Sequence, residues 1–389
     1  MKILHTVESY YPSIGGMQEV VKQLSERLFK LGHQVTVATR KNPERDSDII
    51  NGVQIKEFDI SGNFTIGMTG EIEDYKKFLL NSDFDIITNF AAQQWATDIA
   101  LPILDNIKAK KLNVPTGFSG LYKEEYALYF ENMKHWMRSY DANIFLSNNY
   151  RDINFARENG IKNLLVIPNG AAKDEFLAIQ KMDIRKKLNI AKNDFLILHV
   201  GSYTGIKGHV EALKIYLKSN ITNGVLLFVG YNNQNFLSYM NNNKQYKVWK
   251  IFNFVSKKRV IVTQLTREET VAAYKAADLF LFPSNVECSP IVLFECMAAR
   301  IPFLTTDVGN SKEIIEWSDA GMILPTRIDK RGFSYAEIRA SSKMLDYVYG
   351  HKELREQLAS RGFNVWESNY TWEAISKKYE TLYLNLLNQ

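Results

Sequence analysis

The chain has 389 residues, of which 46% are hydrophobic and 23% are charged, and its formal net charge is +5 at pH 7. This length exceeds what one compact core normally holds, so we expect two domains of nearly equal size. The mild positive charge is spread along the chain, which argues against a nucleic-acid-binding protein but suits an anionic substrate or an anionic membrane surface.

The cysteine count and the hydropathy pattern indicate a cytoplasmic protein. Cys288 and Cys296 are the two cysteines of the chain, and two thiols provide no disulfide framework of the kind that small secreted domains use. Residues 1–8 lack the uninterrupted apolar segment of a signal peptide, so we expect none. We expect no membrane span either, because no apolar run approaches the roughly 20 residues that one requires.

The first half of the chain predicts an α/β domain with a parallel sheet. Residues 2–7 have the composition of a buried strand, residues 17–31 that of an amphipathic helix, and residues 34–39 that of a second strand. Such a unit implies a right-handed crossover between parallel strands. Gly15 and Gly16 lie in the loop before the helix, where adjacent glycines let backbone N–H groups come close to a ligand. A tight turn into the helix is the alternative.

Two pairs of aspartates must be weighed as metal sites. Asp83 and Asp85 have the D-x-D spacing of a divalent-metal site, and Asp46 and Asp48 repeat it. Asp85 leads directly into an apolar strand, whereas the second pair lies in a polar loop, and neither pair has further ligands nearby in the sequence. We therefore expect solvated turns and no metal site.

The second half begins again with a buried strand and a glycine-rich loop. Residues 195–200 are apolar, and the following loop runs from Gly201 to Gly208, with Lys207 directly before the next predicted helix. Backbone N–H groups of such a loop and the point charge of a lysine are typical of a phosphate site. The spacing is not that of a P-loop. A lysine on a surface loop is the alternative.

A loop and a helix near residue 290 predict a second phosphate-binding element. An apolar strand at residues 278–282 precedes the loop, and residues 290–300 have the composition of a helix. Ser289 is a suitable N-cap, and Pro290 suits the first helical position, where a missing N–H costs nothing. The N–H groups and the positive dipole end of this helix would then face the carboxyl edge of the sheet and bind a phosphate.

Two glutamates flank this predicted helix N-terminus. Glu287 precedes it in the loop, and Glu295 lies about one and a half turns inside the helix. One carboxylate on each side of a phosphate matches a nucleotide-sugar, which carries sugar hydroxyls, a diphosphate and ribose hydroxyls in that order. The alternative is a solvated loop glutamate beside an ordinary capped helix, because such a pair also arises by chance.

The stretch around these glutamates resembles the E-x7-E region of the family 4 glycosyltransferases, usually written E-G-F-G-x4-E-A-M-A-x-G-x-P. Cys288, Ser289 and Pro290 stand where Gly, Phe and Gly are usual, and Arg300 stands for the later Gly. The resemblance extends over almost the whole chain, from the Gly15-Gly16 loop to Trp372.

The glycine-rich loop of the second half resembles the G-R-x4-K-G loop of the same family. Lys207 stands at the lysine, and Ser202 stands where arginine is commonest. The loss of that arginine removes a bidentate phosphate partner, so Lys207 would carry more of the diphosphate charge.

The two successive halves, together with the resemblance, imply an α/β protein of the GT-B fold, in which two doubly wound Rossmann-like domains face each other across a cleft. We expect an acceptor-side domain at residues 1–170 and a nucleotide-sugar-binding domain at residues 171–368. Residues 369–389 would form a C-terminal helix that packs back on the first domain. Gly350 and Gly362 are predicted breaks between the last helices.

The resemblance implies retaining hexose transfer from a nucleotide-sugar, UDP- or GDP-linked, without a cofactor or a required metal. Lys207 would neutralise the departing diphosphate and Glu287 would hold the sugar hydroxyls, so these two are the candidate catalytic residues. Glu295 would hold the ribose, and Leu265 would contact the base. The other residues expected at the donor site are Gly15, Gly16, Gly201, Ser202, Ser289, Ile291 and Val292. No protein nucleophile is evident, and in the family the leaving phosphate is thought to accept the acceptor's proton.

The acceptor side departs from the family. Many members carry a histidine there, but this chain has none at residues 88–90 or 114–122. Ser119 is the nearest polar side chain, and Tyr122 lies in the same segment. The implied acceptor is a glycan or a lipid-linked molecule of bacterial surface polysaccharide or glycoconjugate synthesis. Peripheral contact with the inner face of the membrane stays open.

Two other functions stay open at this stage. One is another enzyme of the same architecture, such as a nucleotide-sugar epimerase or a glycan phosphorylase. The other is a non-catalytic partner subunit that binds a nucleotide or a glycan, which Ser202 and the missing histidine suggest.

Overall fold

A computed structural model of the protein describes residues 1–180, 182–231, 233–244, 246–248 and 256–389. The chain divides into two compact units. The first consists of Met1–Asn169 and Trp372–Gln389, and the second of Gly170–Thr371. Because the last residues of the chain belong to the first unit, the chain passes from one unit to the other twice.

The first unit is built on a parallel sheet, as the strand–helix–strand pattern predicted. Its strands are β1 Lys2–Thr6, β2 Gln34–Arg40, β3 Ile49–Ile50, β4 Val53–Phe58, β5 Ile60–Asn63, β6 Gly67–Gly70, β7 Ile86–Phe90, β8 Lys110–Val114, β9 Ala142–Phe145 and β10 Leu164–Val166. The order across the sheet is β10-β9-β8-β7-β1-β2-β4-β3, and β5 forms a separate hairpin with β6. Neighbours in the sheet are parallel, except that β3 and β4 are antiparallel.

Helices cover this sheet and bury its strands. The α-helices are α1 Gly16–Lys30, α2 Ile72–Asn81, α3 Trp95–Asp98, α4 Ala127–Trp136 and α5 Arg151–Glu158, with 3-10 helices at Leu101–Asn106 and Glu124–Tyr126. In α1, Val20, Leu24 and Leu28 recur at helical spacing and are buried. This single apolar face packs the helix on the sheet.

The C-terminal helix, Trp372–Leu387, completes the first unit by packing against α1. Nη2 of Arg27, on α1, lies 2.9 Å from Oε1 of Glu373. Tyr379 and Tyr383 are buried on the inner face of this helix. Aromatic burial and an ion pair therefore attach the end of the chain to its first helix.

The hydroxyl of Tyr383 connects the C-terminal helix to the sheet. It lies 2.8 Å from Oγ1 of Thr88 and 3.2 Å from Nε2 of His5. Nδ1 of His5 lies 2.8 Å from the hydroxyl of Ser25 on α1. Burial lowers the pKa of His5 to about 3, so its imidazole is neutral and hydrogen-bonds to two hydroxyls.

The second unit contains a parallel sheet in the part of the chain that the structure describes. Its strands are β11 Phe195–Val200, β12 Gly224–Val229, β13 Arg259–Thr263, β14 Leu279–Phe282, β15 Phe303–Thr305, β16 Gly321–Ile323, β17 Thr326–Ile328 and β18 Ser334–Ala336. The order is β13-β12-β11-β14-β15-β16, all parallel, and β17 pairs with β18 as an antiparallel hairpin. Leu196 and Leu198 of β11 join one apolar cluster and Ile197 joins another, so both faces of the sheet are covered.

Helices lie on both faces of this sheet. The described α-helices are α6 Lys173–Phe176, α7 Ile184–Lys187, α8 His209–Lys218, α9 Asn233–Asn242, α10 Arg267–Ala276, α11 Ile291–Ala298, α12 Ser311–Ser318, α13 Ile338–Gly350 and α14 Lys352–Asn369. A doubly wound parallel sheet of this kind carries its ligands at the carboxyl ends of the strands.

The predicted break at Gly362 is wrong, whereas α13 does end at the predicted Gly350. α14 continues through Gly362 because this glycine has a packing role. A Cβ at this position would lie 2.5 Å from the Cβ of Ala320 and 3.3 Å from Cγ of Met297. The absence of a side chain lets α14 approach the core, and tertiary packing offsets the low helix propensity of glycine.

We expect Tyr383→Phe to lower the free energy of unfolding by about 1–3 kcal/mol, because the buried His5 and Thr88 lose a hydrogen-bond partner. Urea denaturation of both proteins measures the difference. Tyr11→Phe, at a half-exposed tyrosine of the same unit, is the matched control and should change stability by less than about 0.5 kcal/mol. Equal effects of the two substitutions would contradict the buried network.

Candidate active site

The glycine-rich loop after β11 packs against the loop after β14. These strands are parallel neighbours, so their carboxyl ends lie at the same edge of the sheet. Gly208 has φ 74°, and a Cβ there would lie 2.0 Å from the carbonyl oxygen of Pro283. The N–H of Asn285 donates to the carbonyl of Ile206 at 2.9 Å. Glycine at position 208 therefore allows the two predicted phosphate-binding loops to meet.

Lys207 and Glu287 form an ion pair where these loops meet. Nζ of Lys207 lies 2.7 Å from Oε1 of Glu287. The hydroxyl of Ser284 donates to the same oxygen at 2.8 Å. The Lys207 side chain is 30% exposed and that of Glu287 is 10% exposed. The structure thus brings the predicted cation and the first predicted glutamate into contact, with the cation accessible to a ligand.

Helix α11 begins one residue later than predicted. Its first residue is Ile291, and its N-cap is Pro290, with φ −72° and ψ 111°. The prediction that Ser289 is the N-cap and Pro290 the first helical residue is therefore wrong, because Pro290 has an extended rather than a helical ψ. Ile291 and Val292 are partly exposed, and their N–H groups belong to the first turn, where a helix provides no acceptor.

A third loop supports the segment between Glu287 and α11. Gly309, after β15, has φ 56°, and a Cβ there would lie 2.4 Å from the carbonyl oxygen of Cys288. The N–H of Asn310 donates to the same carbonyl at 2.9 Å. Backbone contacts therefore fix the Glu287 loop from the side of β15.

Glu295 lies inside α11 and contacts an arginine that the sequence analysis missed. Nη1 of Arg267 lies 2.5 Å from Oε1 of Glu295, whose side chain is 5% exposed. Thr266 caps α10 and forms a capping box with Glu269. The T-x-x-E pattern is a sequence signal for this helix start. This pattern could have predicted that Arg267 is the first residue of the helix. It could not have predicted the contact with Glu295.

The remaining predicted donor-site residues of this unit follow neighbouring strands. The N–H of Gly201 donates to the carbonyl of Val229 at 2.9 Å, which continues the pairing of β11 with β12. Ser202 is half-buried. Leu265 is 7% exposed and belongs to the apolar core. Its side chain therefore offers little surface to the base that it was predicted to contact.

Two buried histidines lie beneath the start of the glycine-rich loop. Nε2 of His209 lies 3.0 Å from the carbonyl oxygen of Gly201, and its ring centroid is 4.4 Å from that of His199. Nδ1 of His199 lies 2.8 Å from the carbonyl oxygen of Leu281 on β14. Burial lowers the pKa of His209 to about 4 and the pKa of His199 well below its usual value. Both rings are therefore neutral near pH 7, and the N–H of each can donate to its carbonyl.

Gly15 and Gly16 belong to the first unit, whereas Lys207 and Glu287 belong to the second. α1 begins at Gly16, and Gly15 is its N-cap with an extended φ of 176°. The pair therefore opens a helix after β1, as the strand–loop–helix pattern predicted. Its contact with a donor stays a prediction.

The acceptor-side prediction leads to Gln93, which the sequence analysis did not identify. The hydroxyl of Ser119 donates to Oε1 of Gln93 at 3.3 Å, and the N–H of Gly120 donates to the same oxygen at 3.1 Å. Because Oε1 accepts these two bonds, the other end of the amide is Nε2. This nitrogen is buried and has no hydrogen-bond partner among the residues that the structure describes. It is a buried amide donor whose hydrogen-bonding capacity is not used by these residues.

The backbone of Gln93 is held in an unfavourable conformation by buried polar groups. Its φ is 64°, in the left-handed region. Its N–H lies 3.1 Å from Oδ1 of Asp98 and 2.9 Å from the hydroxyl of Tyr129, which donates to Asp98 at 2.8 Å. Burial raises the pKa of Asp98 to about 6. Backbone strain of this kind is maintained by its surroundings and is frequent at functional sites.

Tyr122, the other acceptor-side residue, is 72% exposed. The guanidinium carbon of Arg151, the first residue of α5, lies 5.4 Å from the centroid of its ring. The ring of Tyr150 lies 5.8 Å from the same carbon. An arginine between two tyrosines at the carboxyl edge of a sheet presents positive charge and aromatic surface together.

No group of three or more His, Cys, Asp or Glu side chains in the described part of the chain is placed to hold a metal ion. Asp83 pairs with the Lys2 side chain, and Asp85 accepts from the N–H of Lys2 at 2.7 Å. None of the helices described combines the length and the hydropathy that crossing a bilayer requires.

Two family profiles match the chain on either side of the boundary between its units. The profile of "Glycosyl transferases group 1" matches residues 180–362, and that of "Glycosyltransferase Family 4" matches residues 14–175. The first match includes Lys207, Glu287 and Glu295. The chain belongs to the group 1, family 4 glycosyltransferases, and its two parallel-sheet units are the Rossmann-like domains of the GT-B fold.

Individual relatives agree with this assignment. An uncharacterized glycosyltransferase of Methanocaldococcus jannaschii is 22% identical over 98% of this chain and 98% of its own length. The UDP-Gal:alpha-D-GlcNAc-diphosphoundecaprenol alpha-1,3-galactosyltransferase of Escherichia coli is 26% identical over 51% of this chain and 50% of its own length. The crystal structure of Anabaena Alr3699/HepE in complex with UDP and glucose has a TM-score of 0.74 and 15% identity, and the match covers 98% of this chain and 99% of that chain. At this identity the structural likeness shows the fold.

We expect acid to destabilise the protein through His209. Its folded pKa of about 4 lies below the usual value of 6.5, so the unfolded chain binds the proton first. The stabilisation is complete above pH 6.5 and is lost as the pH falls toward 4, by up to about 3 kcal/mol. His209→Gln should therefore flatten the dependence of the unfolding free energy on pH over this range, as measured by urea denaturation.

The control for this experiment is His351→Gln, because His351 is an exposed histidine of the same unit. The unfolding free energy of this variant should depend on pH as that of the wild type does. If the unfolding free energy of His209→Gln depended on pH as steeply as that of the wild type, the buried neutral histidine would not be the source of the acid destabilisation.

Proposed function

We propose that the protein is a retaining glycosyltransferase that moves a hexose from a UDP- or GDP-linked donor to a glycan or lipid-linked acceptor. The observation that carries this proposal is the contact of Lys207 with Glu287 beside the first turn of α11. One pair of loops thus presents a cation, oriented N–H groups and a carboxylate. These groups suit a departing diphosphate and the hydroxyls of a sugar.

The donor diphosphate is the ligand that we assign to Lys207 and α11. The N–H groups of Ile291 and Val292, together with the helix dipole, bind phosphate oxygens. Nζ of Lys207 neutralises the charge that develops when the diphosphate leaves. Ser202 carries no charge, so Lys207 supplies most of this stabilisation. Positive charge from the chain itself makes the proposed transfer independent of a metal or another cofactor.

The sugar is the ligand that we assign to Glu287. Lys207 and Ser284 both contact Oε1 of Glu287, so the carboxylate is oriented before a donor binds. A fixed acceptor for sugar hydroxyls lowers the entropic cost of aligning the anomeric carbon with the acceptor. Glu295 holds the ribose hydroxyls at the other end of the diphosphate.

The proposed reaction exchanges one oxygen for another at the anomeric carbon. The bond to the donor phosphate oxygen breaks, and a bond to an acceptor hydroxyl oxygen forms on the same face of the sugar. The proton of that hydroxyl passes to the leaving phosphate oxygen. This route needs no protein nucleophile, and the chain contributes positioning and charge stabilisation.

The acceptor is the ligand that we assign to the carboxyl edge of the first sheet. Gln93 supplies an amide donor in a domain where many family members carry a histidine, with Ser119 beside it. Tyr122 and Arg151 offer aromatic surface and positive charge that suit a lipid-linked diphosphate. The Escherichia coli relative is named for such an acceptor. We place the reaction in the cytoplasm, at the inner face of the membrane, in surface polysaccharide or glycoconjugate synthesis.

We expect one nucleotide among UDP, GDP, ADP and CMP to raise the thermal unfolding temperature, with and without a chelator. A ligand at roughly 100 times its dissociation constant stabilises by about 2.7 kcal/mol. Lys207→Ala should reduce this stabilisation, since it removes the diphosphate's cation. Lys214→Ala, at an exposed lysine of α8, is the matched control and should leave it unchanged.

The outcomes of this titration separate a nucleotide-sugar transferase from a non-catalytic binding subunit. A wild-type protein stabilised by none of the four nucleotides would contradict a nucleotide-sugar transferase. Stabilisation without turnover of the matching nucleotide-sugars would instead indicate a non-catalytic binding subunit.

We expect Gln93→Ala to lower kcat/KM for the acceptor by about tenfold, because a buried amide donor is lost. Undecaprenyl diphosphate-linked N-acetylglucosamine, taken from the name of the Escherichia coli relative, is the first acceptor to test. Stabilisation by the donor nucleotide should not change. Gln54→Ala, at an exposed glutamine of β4, is the control. Equal rates in Gln93→Ala and the wild type would place the acceptor elsewhere.

A further inference from the structure

Arg267 joins two carboxylates of the second unit. Its Nη1 lies 2.5 Å from Oε1 of Glu295. Its Nη2 and Nε lie 2.5 Å and 3.2 Å from Oε2 of Glu175. The guanidinium carbon is 5.8 Å from the centroid of the Phe176 ring. Groups from α6 and α11 thus fix the planar guanidinium of Arg267, which extends from α10.

The contact with Glu295 differs from an ordinary surface ion pair. The Glu295 side chain is 5% exposed, whereas those of Arg267 and Glu175 are 38% and 23% exposed. An ionised carboxylate so far from water is costly unless it is paired. Burial, together with the charge of Glu295, raises the pKa of the neighbouring Tyr274 well above its usual value. That phenol is therefore neutral, and Arg267 supplies the opposite charge.

The pairing does not exhaust the hydrogen-bonding capacity of Glu295. A carboxylate offers about four acceptor positions, and Arg267 contacts one oxygen through one nitrogen. Even with the neighbouring Tyr274 hydroxyl at a further position, acceptor capacity for two hydroxyls remains. The guanidinium cannot lose its proton near neutral pH, so it holds the carboxylate of Glu295 in one orientation.

We propose that Arg267 is a positioning residue for the ribose of the donor nucleotide, acting through Glu295. This inference rests on the proposed function, in which Glu295 holds the ribose hydroxyls. Arg267 presents the carboxylate ready to accept from the two vicinal hydroxyls, and Glu175 holds the far end of the guanidinium in place. An arginine that merely competed with the ribose for Glu295 would act in the opposite direction, because its removal would tighten nucleotide binding.

The test is a comparison of two nucleotides that differ only in the ribose hydroxyls. Calorimetric titration measures the Kd of UDP and of 2′,3′-dideoxy-UDP, and of the corresponding guanine pair. We expect Arg267→Ala to weaken binding of the ribonucleotide by about tenfold and that of the dideoxynucleotide by less than about twofold. Arg267→Lys should restore part of the loss, because it returns the charge without the planar fork.

Two further variants separate this role from general damage. Glu175→Gln removes the charge that holds the far end of Arg267, so we expect a smaller loss with the same dependence on the ribose hydroxyls. If Arg267→Ala fails to fold, the nucleotide comparison is made with Glu175→Gln instead. Lys187→Ala breaks the ion pair with Glu269 on the same helix, α10. This control should bind both nucleotides as the wild type does.

The outcomes distinguish this inference from the proposed function. If Arg267→Ala weakens both nucleotides equally, or tightens the ribonucleotide, Arg267 does not position Glu295 for ribose, although the donor site stands. If the wild type binds neither the uracil nor the guanine nucleotides, both the inference and the proposed donor site are wrong.

Discussion

The close approach of Gly208 to the carbonyl of Pro283 is the constraint on which the candidate donor site depends. Parallel strands bring the loops after β11 and β14 to one edge of the sheet, but they do not make the loops touch. A side chain at position 208 would lie 2.0 Å from that carbonyl, so a larger residue would force the loops apart. The ion pair of Lys207 with Glu287 therefore follows from a glycine next to the lysine.

The two units hold their candidate sites by different means. In the second unit, charged pairs orient Glu287 and Glu295, and α11 adds its dipole. In the first unit, the side chains of Asp98 and Tyr129 hold the strained backbone of Gln93 through buried hydrogen bonds. In the proposed reaction, the second unit binds the donor diphosphate and the first unit binds the acceptor.

The sequence predicted the features that depend on local pattern, and it failed where tertiary contacts decide. Apolar strands followed by glycine loops were sufficient to predict two parallel-sheet units, and Lys207 and Glu287 were predicted for one site. The helix start at Pro290 and the continuation of α14 through Gly362 were mispredicted, because a backbone angle and a close packing contact override residue preference. Arg267 and Gln93 were missed because their partners are distant in sequence.

The most direct test of the proposed donor site at Lys207 and α11 is a crystal structure of the protein with UDP or GDP, whichever binds. We expect the diphosphate within hydrogen-bonding distance of Nζ of Lys207 and the N–H groups of Ile291 and Val292. The ribose hydroxyls should contact Glu295. A nucleotide bound away from the first turn of α11, with Lys207 still paired only to Glu287, would contradict the account.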